Sequence, residues 1–79
     1  MTTLERLEAG QVATRRVGGF TYRAYRDGVA AQDGTFRPWV LERWTDDGVL
    51  DAGWRFWGYR DLEARISIWA GPMSAWAWV

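Results

Sequence analysis

From residue 20 to 26 the chain alternates, Phe20-Thr21-Tyr22-Arg23-Ala24-Tyr25-Arg26, and Asp27-Gly28 closes the run. Period-two alternation ending in a turn dipeptide predicts a β-strand. Trp39 to Thr45 predicts another, with Pro38 at its entrance, where a missing N–H does least harm. Asp46-Asp47-Gly48 then turns the chain, and Trp54-Arg55-Phe56-Trp57 follows as a third strand. Gln11 to Val17, ended by Gly18-Gly19, reads as a shorter one, and Asp33-Gly34 marks a further turn.

Towards both ends the period lengthens. Leu62, Ile66, Trp69 and Ala70, preceded by Tyr59, repeat at i, i+4, i+7 and i+8, which predicts a helix over 62–70. Asp61 is the expected cap and Gly71-Pro72 the stop. Thr2 to Gly10 predicts a short helix, because Thr2 and Glu5 have capping-box spacing and Gly10 suits its end. A helix this short needs Leu4 and Leu7 docked on the body.

In Ser74-Ala75-Trp76-Ala77-Trp78-Val79 small and large side chains alternate, so Trp76 and Trp78 share one face of an extended segment. Two readings stand: the tail pairs with a sheet edge and buries both indoles, or it anchors a partner chain or a second copy. Together the elements predict one domain, 1–79, of the α+β class. Its expected form is a three- to four-stranded antiparallel sheet packed by one C-terminal amphipathic helix, with a short N-terminal helix.

Composition narrows the chemistry. The 79 residues include seven Trp, three Tyr and three Phe but no Cys and no His. Disulfides are excluded, the usual Cys/His zinc sites are absent, and no metal or cofactor is expected. No apolar run reaches the roughly 18 residues of a membrane helix, and the first residues lack the basic-then-apolar order of a signal peptide. A cytoplasmic protein is the expectation. Ten Arg balance ten acids, although residues 1–37 carry six Arg against four acids and residues 38–63 three Arg against six. That balance does not suggest nucleic-acid binding through charge alone. Lys is absent, and the Arg-, Gly-, Ala- and Trp-rich usage resembles that of high-GC genomes such as those of actinobacteria and their phages.

Catalysis finds little to work with. Without His, Lys or Cys, a Ser or Thr nucleophile has no ordinary base. Asp46, Asp47 and Asp51 surround Gly48 but lack the ligand series and closing Glu of an EF-hand loop, so a solvated acidic turn is expected. Glu42, in mid-strand, is expected to pair with Arg23 and Arg55 on its neighbours. No enzymatic activity and no small-molecule substrate are inferred.

Binding is the remaining class. Alternation puts Arg23, Tyr25, Arg55 and Trp57 on the sheet face opposite the helix, joined either by Glu42 and Trp44 or by Trp39 and Arg43. These four residues, with Trp76 and Trp78 of the tail, are the candidate partner-binding residues. Arginine interleaved with aromatics suits a protein interface, and it can also stack on bases. The competing reading is a second small core, in which the N-terminal segment and the tail cover that face and arginines lie over its rings.

Trp39-Val40-Leu41-Glu42, Trp57-Gly58-Tyr59 and Leu62-Glu63-Ala64, within residues 37–70, resemble the small AP2-type and integrase-arm DNA-binding domains. Such a likeness implies a three-stranded sheet followed by a helix, presenting Arg and Trp to a DNA groove. The chain departs from that pattern in its acidic Asp46-Asp47 turn, its lack of repeated Ala pairs in the helix and its lack of basic excess. The expected function is therefore a small non-enzymatic protein–protein interaction module. It would suit a phage or actinobacterial accessory protein that binds a host protein or self-associates. A nucleic-acid-binding sheet domain and a subunit of a larger assembly are the alternatives.

Overall fold

The computed structural model describes residues 1–28 and 36–79; the turn expected at Asp33-Gly34 lies outside the described residues. Helix α1 spans Thr3–Glu8 and α2 Tyr59–Ala70. The strands are β1 (Ala13–Val17), β2 (Phe20–Arg26), β3 (Trp39–Thr45), β4 (Leu50–Phe56) and β5 (Ala77–Trp78). One antiparallel sheet holds all five in the order β4-β3-β2-β1-β5. The class is α+β, but three to four strands is an undercount. The tail adds the fifth strand by pairing with the outer edge of β1.

Local chemistry explains most boundaries. Thr2 Oγ1 accepts from the Glu5 N–H and Glu5 Oε1 from the Thr2 N–H, a complete capping box that holds the Glu5 carboxyl below its usual pKa. The Gly10 N–H then donates to Leu7 O and the Gln11 N–H to Arg6 O, the paired bonds of a Schellman end. Strands β2 and β3 occupy the spans that alternation predicts. Others differ. The first described strand residue after Gly10 is Ala13 rather than Gln11, and β4 begins at Leu50, four residues before the expected Trp54, with Trp57 beyond its end.

Asp61 does not cap α2. Gly58 does, without a side-chain bond, and Asp61 sits in the first turn, where a carboxylate still complements the helix dipole. In the tail, Met73–Ala75 forms a 3-10 turn, so the extended segment is shorter than the one expected from Ser74.

The register fixes which side chains share a face. Tyr22 and Ala24 of β2 stand beside Arg43 and Leu41 of β3, and Leu41 beside Trp54 of β4. This is the face under α2, which buries Leu62, Ile66 and Ala70 against it, with Trp69 4.6 Å from Trp54 and Tyr59 5.6 Å from Trp39. Leu7 of α1, Met73 and Trp76 close the same core over Ala13 and Tyr22. The N-terminal segment and the tail thus extend one core, and the second core considered for the other face is not what they build. Fully burying Leu7, Leu41, Leu62 and Ile66 contributes about 1.5–3 kcal/mol each.

At the end of α2, Gly71 has φ 76° and ψ 177°, a region open only to glycine. A Cβ there would stand 2.9 Å from Arg15 Nη1. The last turn of α2 has no basic residue of its own, and Arg15 of β1 brings the cation that its negative end favours. Gly71→Ala should therefore cost about 1–3 kcal/mol, read from a urea melt. Trp76 is 5 % exposed, and its indole N–H has no acceptor among the described residues. Trp76→Ala should cost about 3–5 kcal/mol. Trp76→Phe should cost distinctly less, because it keeps most of the ring and discards the unpaired donor. Small losses for both would place Trp76 outside the core.

Candidate functional site

No helix covers the other face of the sheet among the described residues. Its residues are Thr14 and Arg16 of β1, Thr21, Arg23 and Tyr25 of β2, Val40, Glu42 and Trp44 of β3, and Gly53 and Arg55 of β4. Of the two sets left open for the middle strand, Glu42 with Trp44 is the one on this face. Trp39 and Arg43 lie under the helix side, because they stand beside Phe56 and Ala52 in the core row.

Glu42 organises the face. Tyr25 Oη donates to its Oε2 at 3.0 Å, Trp44 Nε1–H donates to its Oε1 at 3.1 Å, and Arg23 Nη1 lies 3.9 Å from Oε1. The expected partnership with Arg55 is not made, since Arg55 stands across from Val40, one rung away. Instead Arg55 Nη2 donates to Asp27 Oδ2 at 2.7 Å and Nη1 to the Arg37 carbonyl at 3.2 Å. At the far end Arg16 Nη2 donates to Asp46 Oδ2 at 3.1 Å. Asp51 of the same acidic turn region takes Arg43. Among the described residues, no three acids come together in a form that could hold a metal ion.

The six sequence candidates fall into two groups. Arg23, Tyr25 and Arg55 share the helix-free face, with Trp57 just past the end of β4, 59 % exposed and capped by the Arg37 guanidinium at 4.8 Å. Trp76 and Trp78 are on the opposite side. Trp76 packs 6.4 Å from Tyr22, and Trp78, half-buried, stands beside Ala13 with Arg6 5.4 Å over its ring. Trp39, one of the residues behind the AP2-type likeness, is buried beneath α2, whereas Trp57 is exposed.

Sequence reasoning missed the groove beside Trp57. A cavity of about 340 Å³ opens between the end of β4 and the outer side of α2, lined by Arg55, Trp57, Asp61, Ala64, Arg65 and Ile68. One signal was available: Ile68, 77 % exposed, falls outside the apolar stripe that defines the helix. The chain matches no protein-family model, no curated protein and no solved structure. No helix of the described residues is long and apolar enough to cross a membrane.

Burial first, then the bond to Glu42 and its charge, raise the Tyr25 pKa above 10.0. Burial and the bond to Glu63 push Tyr59 up to about 12. The folded chain therefore holds these protons more tightly than the unfolded one. Stability should be level with respect to these groups below pH 10 and fall as pH rises from about 10 to about 12. Glu42→Gln should lower the Tyr25 pKa while leaving it above its usual value, since burial persists. Tyrosinate absorbance against pH, compared with Tyr25→Phe to assign the signal, checks this.

Proposed function

We infer that this chain is a small non-enzymatic protein-binding module whose contact surface is the helix-free face of the sheet from β2 to β4, with Trp57 as its projecting anchor. The observation that carries this reading is the internal pairing of the face's arginines. Arg16, Arg23 and Arg55 are met by Asp46, Glu42 and Asp27. A surface built to neutralise phosphates keeps its guanidinium groups available and gains affinity by releasing counterions. A charge-balanced surface that offers Tyr25, Trp44 and Trp57 with arginine at hand matches the core of a protein interface instead. Holding Tyr25 and Trp44 through Glu42 also lowers the entropy lost when a partner arrives.

The carboxylates best placed for acid–base chemistry serve structural pairs: Glu42 with Tyr25 and Trp44, Asp51 with Arg43, Asp46 with Arg16. That supports a binding role over a catalytic one.

The test is capture from a lysate of the source organism on immobilised protein, with nuclease and at high salt. A protein should be retained under both treatments. Trp57→Ala should weaken its binding by about thirty-fold or more, the scale of a hot spot, with the circular dichroism of the module unchanged. Retention that disappears with nuclease or collapses with salt would overturn the reading in favour of nucleic acid.

A further inference from the structure

The sheet ends differently at its two sides. At one, β5 is only two residues long. At the other lies the seven-residue β4, and no strand pairs with its outer edge among the described residues. The register shift beside Arg43 leaves Asp51 as a bulge, so the edge is regular from Ala52 to Phe56. An unpaired edge is a template for another strand unless something blunts it.

The hydrogen-bond phase shows which groups it offers. Val12 and Val79 exchange both backbone bonds, and antiparallel pairs alternate between bonded and non-bonded rungs. Carried through the registers, this turns the backbones of Ala13 and Arg15 towards β2, those of Arg23 and Tyr25 towards β3, and those of Trp39 and Leu41 towards β4. The bond from the Asp27 N–H to Pro38 O obeys the same phase. The backbones of Trp54 and Phe56 therefore face β3, and the N–H and C=O of Gly53 and Arg55 point outwards. The Arg55 guanidinium is held on the helix-free face by Asp27 and the Arg37 carbonyl, so this edge is offered only its backbone.

Helix α2 forms the second wall of a groove along that edge. After Trp57 and Gly58 the chain turns back, and α2 runs over β4 in the reverse direction. Tyr59 meets Trp39, the partner of Phe56, while Trp69 meets Trp54. Asp61, Ala64, Arg65 and the exposed Ile68 line the groove together with Trp57. Among the described residues Arg65 has no carboxylate partner, and its guanidinium lies 4.9 Å over Trp69, at the Trp54 end. Asp61 sits in the first turn of α2, where the helix dipole offsets its charge. The unanswered charge of the groove is thus positive and lies towards Trp54.

We propose that this groove takes an extended peptide of a partner protein, added to β4 as a sixth, antiparallel strand and carrying an acidic residue two positions after a large apolar one. Bonds to the Gly53 and Arg55 backbones supply the pairing, and the two side chains supply selectivity. Strand residues two apart are about 6.8 Å apart, close to the roughly 5.4 Å of one helical turn, so successive side chains on the helix side meet successive turns of α2. The one beside Phe56 falls on Trp57 and Ala64, where Asp61 disfavours an acid. The one beside Trp54 brings its carboxylate to Arg65 and its stem to Ile68. A peptide antiparallel to β4 passes Phe56 first, which sets the order apolar, any, acidic. The groove shares only Trp57 with the surface assigned above, and the inference does not rest on that assignment.

Selection of displayed random octapeptides on the immobilised full chain, followed by fluorescence anisotropy with the selected sequences, tests the proposal. They should share the apolar-x-acidic order and lack proline. N-methylation at alternate peptide positions should abolish binding in one phase and spare it in the other, the mark of pairing along one side of a strand. Arg65→Glu should weaken binding about ten-fold or more, and exchanging the peptide acid for lysine should restore it in that variant. Ile68→Asp should weaken it as well. Both residues are exposed and lie outside the helix-free face, so the variants should fold, and failure here leaves the role of that face untouched. No selected peptide, a selected pattern without an acid, binding that N-methylation never disturbs, or affinity that a folded Arg65→Glu retains would each overturn the proposal.

Discussion

One helix has to cover five strands, and it is too narrow. Five strands spaced about 4.8 Å apart make a sheet about 19 Å across, whereas a helix with its side chains is about 10 Å wide. Helix α2 seats itself over β3 and β4, leaving β1 and β2 in need of a cover. With no cysteine to form a disulfide, α1, the 3-10 turn and Trp76 are recruited to that flank, and they bury Leu7, Ala13 and Tyr22 together.

Where this cover thins, arginine finishes the job. Arg6 lies over Trp78, Arg26 over Trp39, Arg43 over Phe20 and Trp54, and Arg65 over Trp69, each within 6 Å of the ring centre. A planar guanidinium stacks on an indole and still reaches a carboxylate, as Arg43 does with Asp51, which a lysine ammonium does less well. The absence of Lys therefore has a physical use in this fold. It also leaves the arginines of the opposite face paired with acids rather than held free for phosphate.

The legible parts of the sequence were those where local preference and burial agree. Strands β2 and β3 have one face in the core and strong aromatic alternation, so their limits could be read directly. At β4 they disagree: Leu50-Asp51-Ala52-Gly53 has weak strand propensity because an edge strand packs on one flank only, and a register shift interrupts it beside Arg43. Gly58 gave no capping signal, since glycine caps by its backbone, and Asp61 three residues on drew the boundary inwards. The alternation of Trp76 and Trp78 left tail pairing as one of two readings, and it gave no sign of their separation from Arg23, Tyr25, Arg55 and Trp57. Which face the tail joins depends on the turn at Met73–Ala75, and short turns carry little periodic signal.

The junction of β5 with β1 joins residues more than sixty positions apart in sequence through two strand residues and the Val12–Val79 bonds. Closing so long a loop is costly in chain entropy, while β2, β3, β4 and α2 assemble from near neighbours. The molecule is thus a firm meander with a lightly latched flank. Amide exchange by partial opening would proceed first through that latch, releasing the tail while the meander holds. The transiently opened form presents Trp76 and Trp78 to solvent, so the grip of β1 on two residues also guards against aggregation.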